Sequence, residues 1–224
     1  DMYFKEYNAS FARGLEHISG TRAALDVEAI QLLNDSMGSR KGCLRVLNSN
    51  VQSLSLNSNF RHLDLHAMKQ WAYVAAKLQI MLQHETHEVI GIEYLLWPLI
   101  SDNEEVIDWH CSNPMFYESL DDPQAKERVN SHEFVRLQVQ RAMTRQWDAL
   151  AVDCEKALAQ PEAFNKTLKP RLVTFAFLLA LARGDKATMQ TILLDKCTPR
   201  QRSRSYQFES GLTNNFIVSY ATLY

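Results

Sequence analysis

Glycine and proline are scarce in this chain, with 7 and 6 among 224 residues. That is too little turn chemistry for a protein built of many short strands. The few glycines of the N-terminal part (Gly14, Gly20, Gly38 and Gly42) are scattered, so no glycine-rich phosphate loop exists, and no GxSxG nucleophile elbow occurs. Net charge is scarce as well: 24 basic against 26 acidic residues leave −2, and no global field recruits nucleic acid. Long apolar runs are missing. Val89–Ile100 and Leu172–Ala182 are each too short to span a bilayer, and Glu93 interrupts the first. Cysteine is limited to Cys43, Cys111, Cys154 and Cys197, far apart and without a CxxC, so the paired spacing of a zinc site is absent. Four mostly buried thiols in a reducing compartment are expected, with two long-range disulfides in a secreted protein as the alternative. The opening DMYFKEYNAS is polar, carries no signal peptide and reads as an internal cut or tag remnant. The expectation is a soluble cytoplasmic protein with no membrane partner.

What is present is helical periodicity. The chain is 46% hydrophobic and 22% charged, an ordinary globular balance. The strongest stretch is LKPRLVTFAFLLALARGDKATMQTILLDK, where Pro170 suits a first helical position and Leu172–Ala182 is apolar almost all round, so that helix is expected inside the domain. Gly184 supplies a positive-φ stop and Asp185 an N-cap for a second helix, with Ala187, Met189, Ile192 and Leu193 on one face. Thr198-Pro199 restarts the chain.

The other elements follow the same logic. Phe4, Tyr7, Phe11 and Leu15 mark a short amphipathic helix. Thr21–Asp35 reads as a helix with Ala24, Val27, Ile30, Leu33 or their neighbours facing in, ended by Met37-Gly38-Ser39. Lys41–Leu56 reads as a third, with Leu44, Leu47, Val51 and Leu54 on its stripe and a break at Asn57-Ser58-Asn59. Arg61–Gln83 is the clearest: Leu63, Ala67, Trp71, Val74, Leu78 and Met81 form a stripe, Asp64 caps its start, and Ala72, Ala75 and Ala76 allow close approach of a neighbour. Val89–Ile100 reads as a buried strand by composition alone, but its length and its setting between strong helices favour a helix, which Pro98 would kink or end. Ser101-Asp102 caps a short acidic helix, Asn103–His110. Ala125–Arg145 and Ala149–Gln160 complete the set, the latter capped by Asp148, lined by Leu150, Cys154, Ala157 and Leu158, and closed by Pro161.

The fold class predicted is all-α, antiparallel helical hairpins stacked as a compact bundle or short solenoid-like array. It forms one domain over 1–224, with a subdivision near 111–124 between an N-terminal half (1–110) and a C-terminal hairpin half (125–224). An internal echo supports stacking: the turn Gln146-Trp147-Asp148 returns as Arg183-Gly184-Asp185, 37 residues later.

Three groups of residues invite a chemical reading. His62 and His66 share a helix face at the spacing two imidazoles need for one metal, but His84 lies about 30 Å further along, so exposed histidines are the plainer reading. Asp102, Glu104, Glu105 and Asp108, with Asp121 and Asp122, form an acidic patch among Trp97, Trp109, Phe116 and Tyr117. A solvated face is one reading, a contact surface for a basic partner the sharper one, since aromatics inside a charged rim match interface hot spots. Lys196, Arg200, Arg202 and Arg204 form a basic run with Tyr206 and Phe208 nearby, read as a charged helix end or, less simply, as a nucleic-acid contact. No residues point to catalysis, and neither a cofactor nor a metal is expected.

The tail carries a family resemblance. The apolar helix running into Arg183-Gly184-Asp185, the amphipathic Lys186–Leu194, the basic Arg200–Arg204 and the closing Phe216–Tyr224 together resemble the bacterial immunity protein 49 family. Leu63–Leu82, with its central Trp71, is similar to that family's Ala-rich N-terminal helix. The resemblance covers the last quarter of the chain by motif and the remainder by architecture. It implies an antitoxin, which binds a cognate polymorphic or secretion-delivered toxin stoichiometrically and blocks its active site or substrate access. For a basic nuclease toxin, the contact candidates are Asp102, Glu104, Glu105, Asp108, Trp109, Asp121 and Asp122, acting in place of phosphates. The alternatives are a helical-repeat scaffold with a peptide-binding groove and a metal-dependent hydrolase using His62 and His66.

Overall fold

Side-chain caps and left-handed residues set several of the helix boundaries among the described residues. The computed structural model describes residues 8–86, 92–113 and 124–198. Among these are ten α-helices, four short 3-10 turns and no strand. The described residues divide into two compact units, 8–86 with 93–108, and 92 with 109–113 and 124–198.

In the first unit, α1 (Asn8–His17) leads through a 3-10 turn, Gly20–Ala23, to α2 (Val27–Asn34). The continuous helix expected over Thr21–Asp35 is therefore split. Asp26 Oδ1 accepts from the Ala29 N–H at 3.0 Å, which starts α2 afresh at Val27. The register shifts with it: Ala24 and Val27 face solvent, while Ala29 is buried. Ser39 caps α3 (Arg40–Phe60), accepting from the Gly42 N–H at 3.1 Å. The break expected at Asn57-Ser58-Asn59 does not occur. Ser58 Oγ donates to the Leu54 carbonyl at 2.8 Å, and Asn57 Oδ1 accepts from Ser19 Oγ at 3.1 Å, so these polar side chains find partners without ending the helix.

A four-residue turn, 61–64, reverses the chain into α4 (Leu65–Thr86). Asp64 caps it as expected, accepting from the Ala67 N–H at 2.9 Å. The buried face is not the long apolar stripe but Met68, Ala72, Ala75, Ala76, Gln79 and Gln83. Small side chains set the line of closest approach: Ala72, Ala75 and Ala76 have no exposed surface. Opposite them α3 buries Ser53, Ser55 and Ser58, and Ser55 Oγ donates to the Met68 carbonyl at 2.8 Å. Trp71, Val74 and Leu78 are half-buried at the flank, Met81 is exposed, and Leu63 lies outside the helix altogether. A 3-10 turn, Ile92–Leu95, and α5 (Leu96–Ser101) then bring Leu96 and Trp97 into a core with Ile18, Val51, Leu56 and Val106. Pro98 sits in the first turn of α5, where no intrahelical N–H is needed. α6 (Glu104–Ser112) carries the boundary between the units.

The second unit contains two helical hairpins. α7 (His132–Met143) starts at Ser131, whose Oγ accepts from the Phe134 N–H at 2.9 Å. The expected helix from Ala125 is thus a 3-10 turn, Ala125–Glu127, and a separate α-helix. Arg145, at φ +58°, turns the chain into α8 (Trp147–Leu158), in which Asp148 occupies the first turn and is not the cap. Leu150, Cys154 and Ala157 line its buried face, as expected. α9 (Arg171–Arg183) is the apolar helix, with Thr174, Phe175, Phe177, Leu178 and Ala180 buried. Phe175 meets the edges of Phe134 and Phe164 at centroid distances of 5.7 and 6.0 Å. Gly184 adopts φ +67°, and Asp185 Oδ1 accepts from the Thr188 N–H at 3.1 Å to start α10 (Lys186–Lys196). Met189, Ile192 and Leu193 are half-buried there, whereas Ala187 is exposed.

None of the four cysteines is in a disulfide: Cys43 and Cys154 are buried, Cys111 and Cys197 half-buried. No helix among the described residues is long and apolar enough to cross a membrane.

Candidate contact surface

The acidic residues are presented by the turn between α5 and α6. Asp102 takes φ +52°, a left-handed conformation that aspartate tolerates better than most side chains. The capping role expected of Ser101-Asp102 falls to Asn103, whose Oδ1 accepts from the Glu105 N–H at 3.0 Å. Ser101 Oγ in turn accepts from the Asn103 N–H at 3.3 Å. α6 therefore opens with Glu104 and Glu105 in its first turn, where carboxylates oppose the positive end of the helix dipole.

Two of these acids are occupied within the unit. Asp102 Oδ2 lies 2.7 Å from Lys69 Nζ. Glu105 Oε1 lies 2.6 Å from Lys77 Nζ, and its Oε2 accepts from the Tyr73 hydroxyl at 2.7 Å. The hydrogen bond from Lys69 holds the Asp102 carboxyl below its ordinary pKa. Those from Lys77 and then Tyr73 do the same for Glu105. The same contacts push Lys77 and Tyr73 upward, each chiefly through its hydrogen bond to Glu105. Lys69, Tyr73 and Lys77 stand four residues apart on α4 and form a single ridge against which the start of α6 is held. They fall outside the apolar stripe of the sequence, where their regular four-residue spacing is the signal that marks them.

Glu104 and Asp108 are different. Both are exposed, they are four apart on one face of α6, and among the described residues none pairs with either. Trp109 is half-buried, with its ring edge-on to His110 at 5.0 Å and 87°. Trp97, expected among the interface aromatics, is instead a fully buried core residue. Asp121, Asp122, Phe116, Tyr117, the basic residues Arg200, Arg202 and Arg204, and Phe216–Tyr224 lie outside the described residues.

His62 and His66 do not share a helix face, because α4 begins only at Leu65 and His62 belongs to the preceding turn. His62 Nε2 lies 3.3 Å from Asn57 Nδ2, and His66 Nε2 lies 2.9 Å from Gln70 Nε2. Among the described residues no group of three or more His, Cys, Asp or Glu is placed to hold a metal ion.

The turn before α4 holds one more departure from expectation. Leu63 has φ +55° and is 87% exposed, and Leu65 is 57% exposed. Leu63 belongs to a helix-ending turn: its N–H donates to the Asn59 carbonyl at 3.0 Å, and the Asp64 N–H donates to that of Ser58 at 2.9 Å. The left-handed residue that such an exit requires turns the side chain away from the core, so the apolar stripe read from sequence loses its first member.

Comparison with known proteins returned no matching family model, no matching curated protein and no matching solved structure.

Proposed function

We propose that this chain is a cytoplasmic immunity protein, a non-catalytic helical module that binds one cognate toxin domain and blocks its active site or its approach to substrate. The observation that carries the reading is the C-terminal hairpin. An apolar helix, a left-handed glycine at φ +67° and an aspartate-capped second helix occur at the Arg183-Gly184-Asp185 turn on which the family resemblance rests. The exposed carboxylates of Glu104 and Asp108 support a basic partner, since charge complementarity speeds encounter. Asp102 and Glu105 support it less directly, by fixing the start of α6 against Lys69, Tyr73 and Lys77.

The test is to look for a toxin domain encoded beside this gene and to co-express the two. A stoichiometric complex that suppresses the toxin's activity is expected, and no complex with that domain removes the proposal. Within the complex, Glu104→Ala with Asp108→Ala should slow association chiefly at low salt; an unchanged rate constant removes the electrostatic part alone. The two hairpins of the second unit, opening at His132 and Arg171, favour a second reading as a helical-repeat scaffold. A peptide bound by that unit in the absence of any toxin partner would support it.

A further inference from the structure

We infer that the seam between α3 and α4 holds internal water, bound by the side-chain carboxamides of Asn48, Gln79 and Gln83. The site lies wholly within the first unit and is independent of any toxin. Gln79 and Gln83 stand four residues apart on one face of α4 and are 1% and 3% exposed. Both belong to the buried line that starts at Met68 and runs through Ala72, Ala75 and Ala76. A glutamine at such depth normally has its carboxamide hydrogen-bonded. Here Gln79 Oε1 and both Oε1 and Nε2 of Gln83 are shut off from solvent, and none has a hydrogen-bond partner among the described residues. Asn48 Oδ1, on α3, is likewise buried and unpartnered among them.

Two contacts fix the register that places Asn48 against them. Ser55 Oγ donates to the Met68 carbonyl at 2.8 Å near the turn of the hairpin, and Arg40 Nε lies 2.5 Å from Glu85 Oε1 at its open end. Between those points the helices run antiparallel, so Asn48 comes level with Ala76, and Gln79 lies about 5 Å further toward the open end at about 1.5 Å per residue. Asn48 also shares the α3 stripe of Leu44, Val51 and Ser55, and Val51 packs in one core with Ala72, Ala75 and Ala76. The chemistry of the unmade bonds names the occupant. Three carbonyl oxygens require donors, and Gln83 Nε2 requires an acceptor. A cation would satisfy the oxygens and oppose the N–H; an anion would do the reverse. Water donates and accepts at once, and a buried water typically makes about three hydrogen bonds to such groups. Exchanging O and N in Gln83 changes nothing, since its carboxamide lacks both kinds of partner.

Oxygen-17 relaxation dispersion detects waters held longer than the protein takes to tumble, and it reads this site by difference. Its amplitude should fall from the wild type to the double variant Gln79→Leu, Gln83→Leu, with helical circular dichroism retained. Equal amplitudes in the two folded proteins overturn the inference. Wild-type protein gives a second reading that needs no variant and stands even where the double variant fails to fold. Water cross-peaks at the Gln79 and Gln83 side-chain amides should have opposite signs in NOE and ROE spectra, the mark of water held inside and not exchanging at the surface. No water contact at either amide overturns the site. Amide resonances that follow a saturable titration with potassium or calcium chloride make a cation the occupant and overturn the assignment of water.

Discussion

His110 should make this protein acid-labile in a defined window. The ring is 1% exposed, and burial lowers its pKa from 6.5 to about 4. Above pH 6.5 the imidazole is neutral in both the folded and unfolded states and adds no pH dependence. Between pH 6.5 and about 4 the unfolded chain takes up a proton that the folded chain refuses, so unfolding becomes easier as pH falls. Below about 4 both states are protonated and the contribution levels off. At about 1.4 kcal/mol for each pH unit, the whole window amounts to about 3 kcal/mol. That is a large part of the 5–15 kcal/mol typical of a domain. The assay is urea unfolding of the wild type and of His110→Leu at half-unit steps from pH 7.5 to 3.5. Because substitution of a buried ring shifts the whole curve, slopes are compared and not absolute stabilities. The wild-type curve should fall more steeply than the variant's within the window and run parallel to it outside. A direct check is the His110 ring resonance, which should keep its neutral shift down to about pH 5. Parallel curves throughout, or a folded-state midpoint near 6.5, would refute the desolvation argument.

Two further outcomes follow from burial and backbone geometry. Cys154 has no exposed surface and its thiol is pushed up to about 12, chiefly by burial, so maleimide at neutral pH should label Cys111 and Cys197 first and reach Cys154 only on unfolding; early labelling of Cys154 in native protein would show that the second unit opens. Gly184→Ala places a Cβ in open space, with no atom within 4 Å, so its cost is that of the left-handed backbone alone, about 1 kcal/mol, read as a lower urea midpoint with unchanged slope.

Legibility in the sequence tracked how local each determinant was. The Gly184 exit and the Asp185 and Asp64 caps were readable because each acts on an N–H or carbonyl within a few residues. The close-packing alanines of α4 were readable because their size alone fixes what can approach. The breaks at Asp26 and Ser131 were not. Each cap lies in a run whose neighbours are compatible with continuing helix, and the choice depends on distant contacts. The Asp26 N–H donates to Asn50 Oδ1 at 3.3 Å, and Asn130, beside Ser131, donates to the Ala163 carbonyl at 2.8 Å. The missing break at Asn57-Ser58-Asn59 has the same origin, since Ser19, 38 residues earlier, bonds Asn57. Helical periodicity also misjudged which face of α4 is buried. It weights large apolar residues, whereas the depth of contact is set by the smallest ones.

The acidic patch shows most clearly what a list of charges leaves out. Read as sequence, Asp102, Glu104, Glu105 and Asp108 are four equivalent carboxylates. In the fold, Asp102 and Glu105 are matched by the ammonium groups of Lys69 and Lys77, so only Glu104 and Asp108 are left to act outward. Two exposed charges screened over about 8 Å at physiological ionic strength can steer a basic partner but cannot hold it. If this surface retains a toxin, the holding energy must come from apolar area. On α3, α4 and the turn that joins them, the exposed large apolar side chains are Val46, Leu63, Leu65 and Met81. Salt should therefore alter the association rate of the complex far more than its dissociation rate. A dissociation rate that rises steeply with salt would place the binding energy back in the ion pairs.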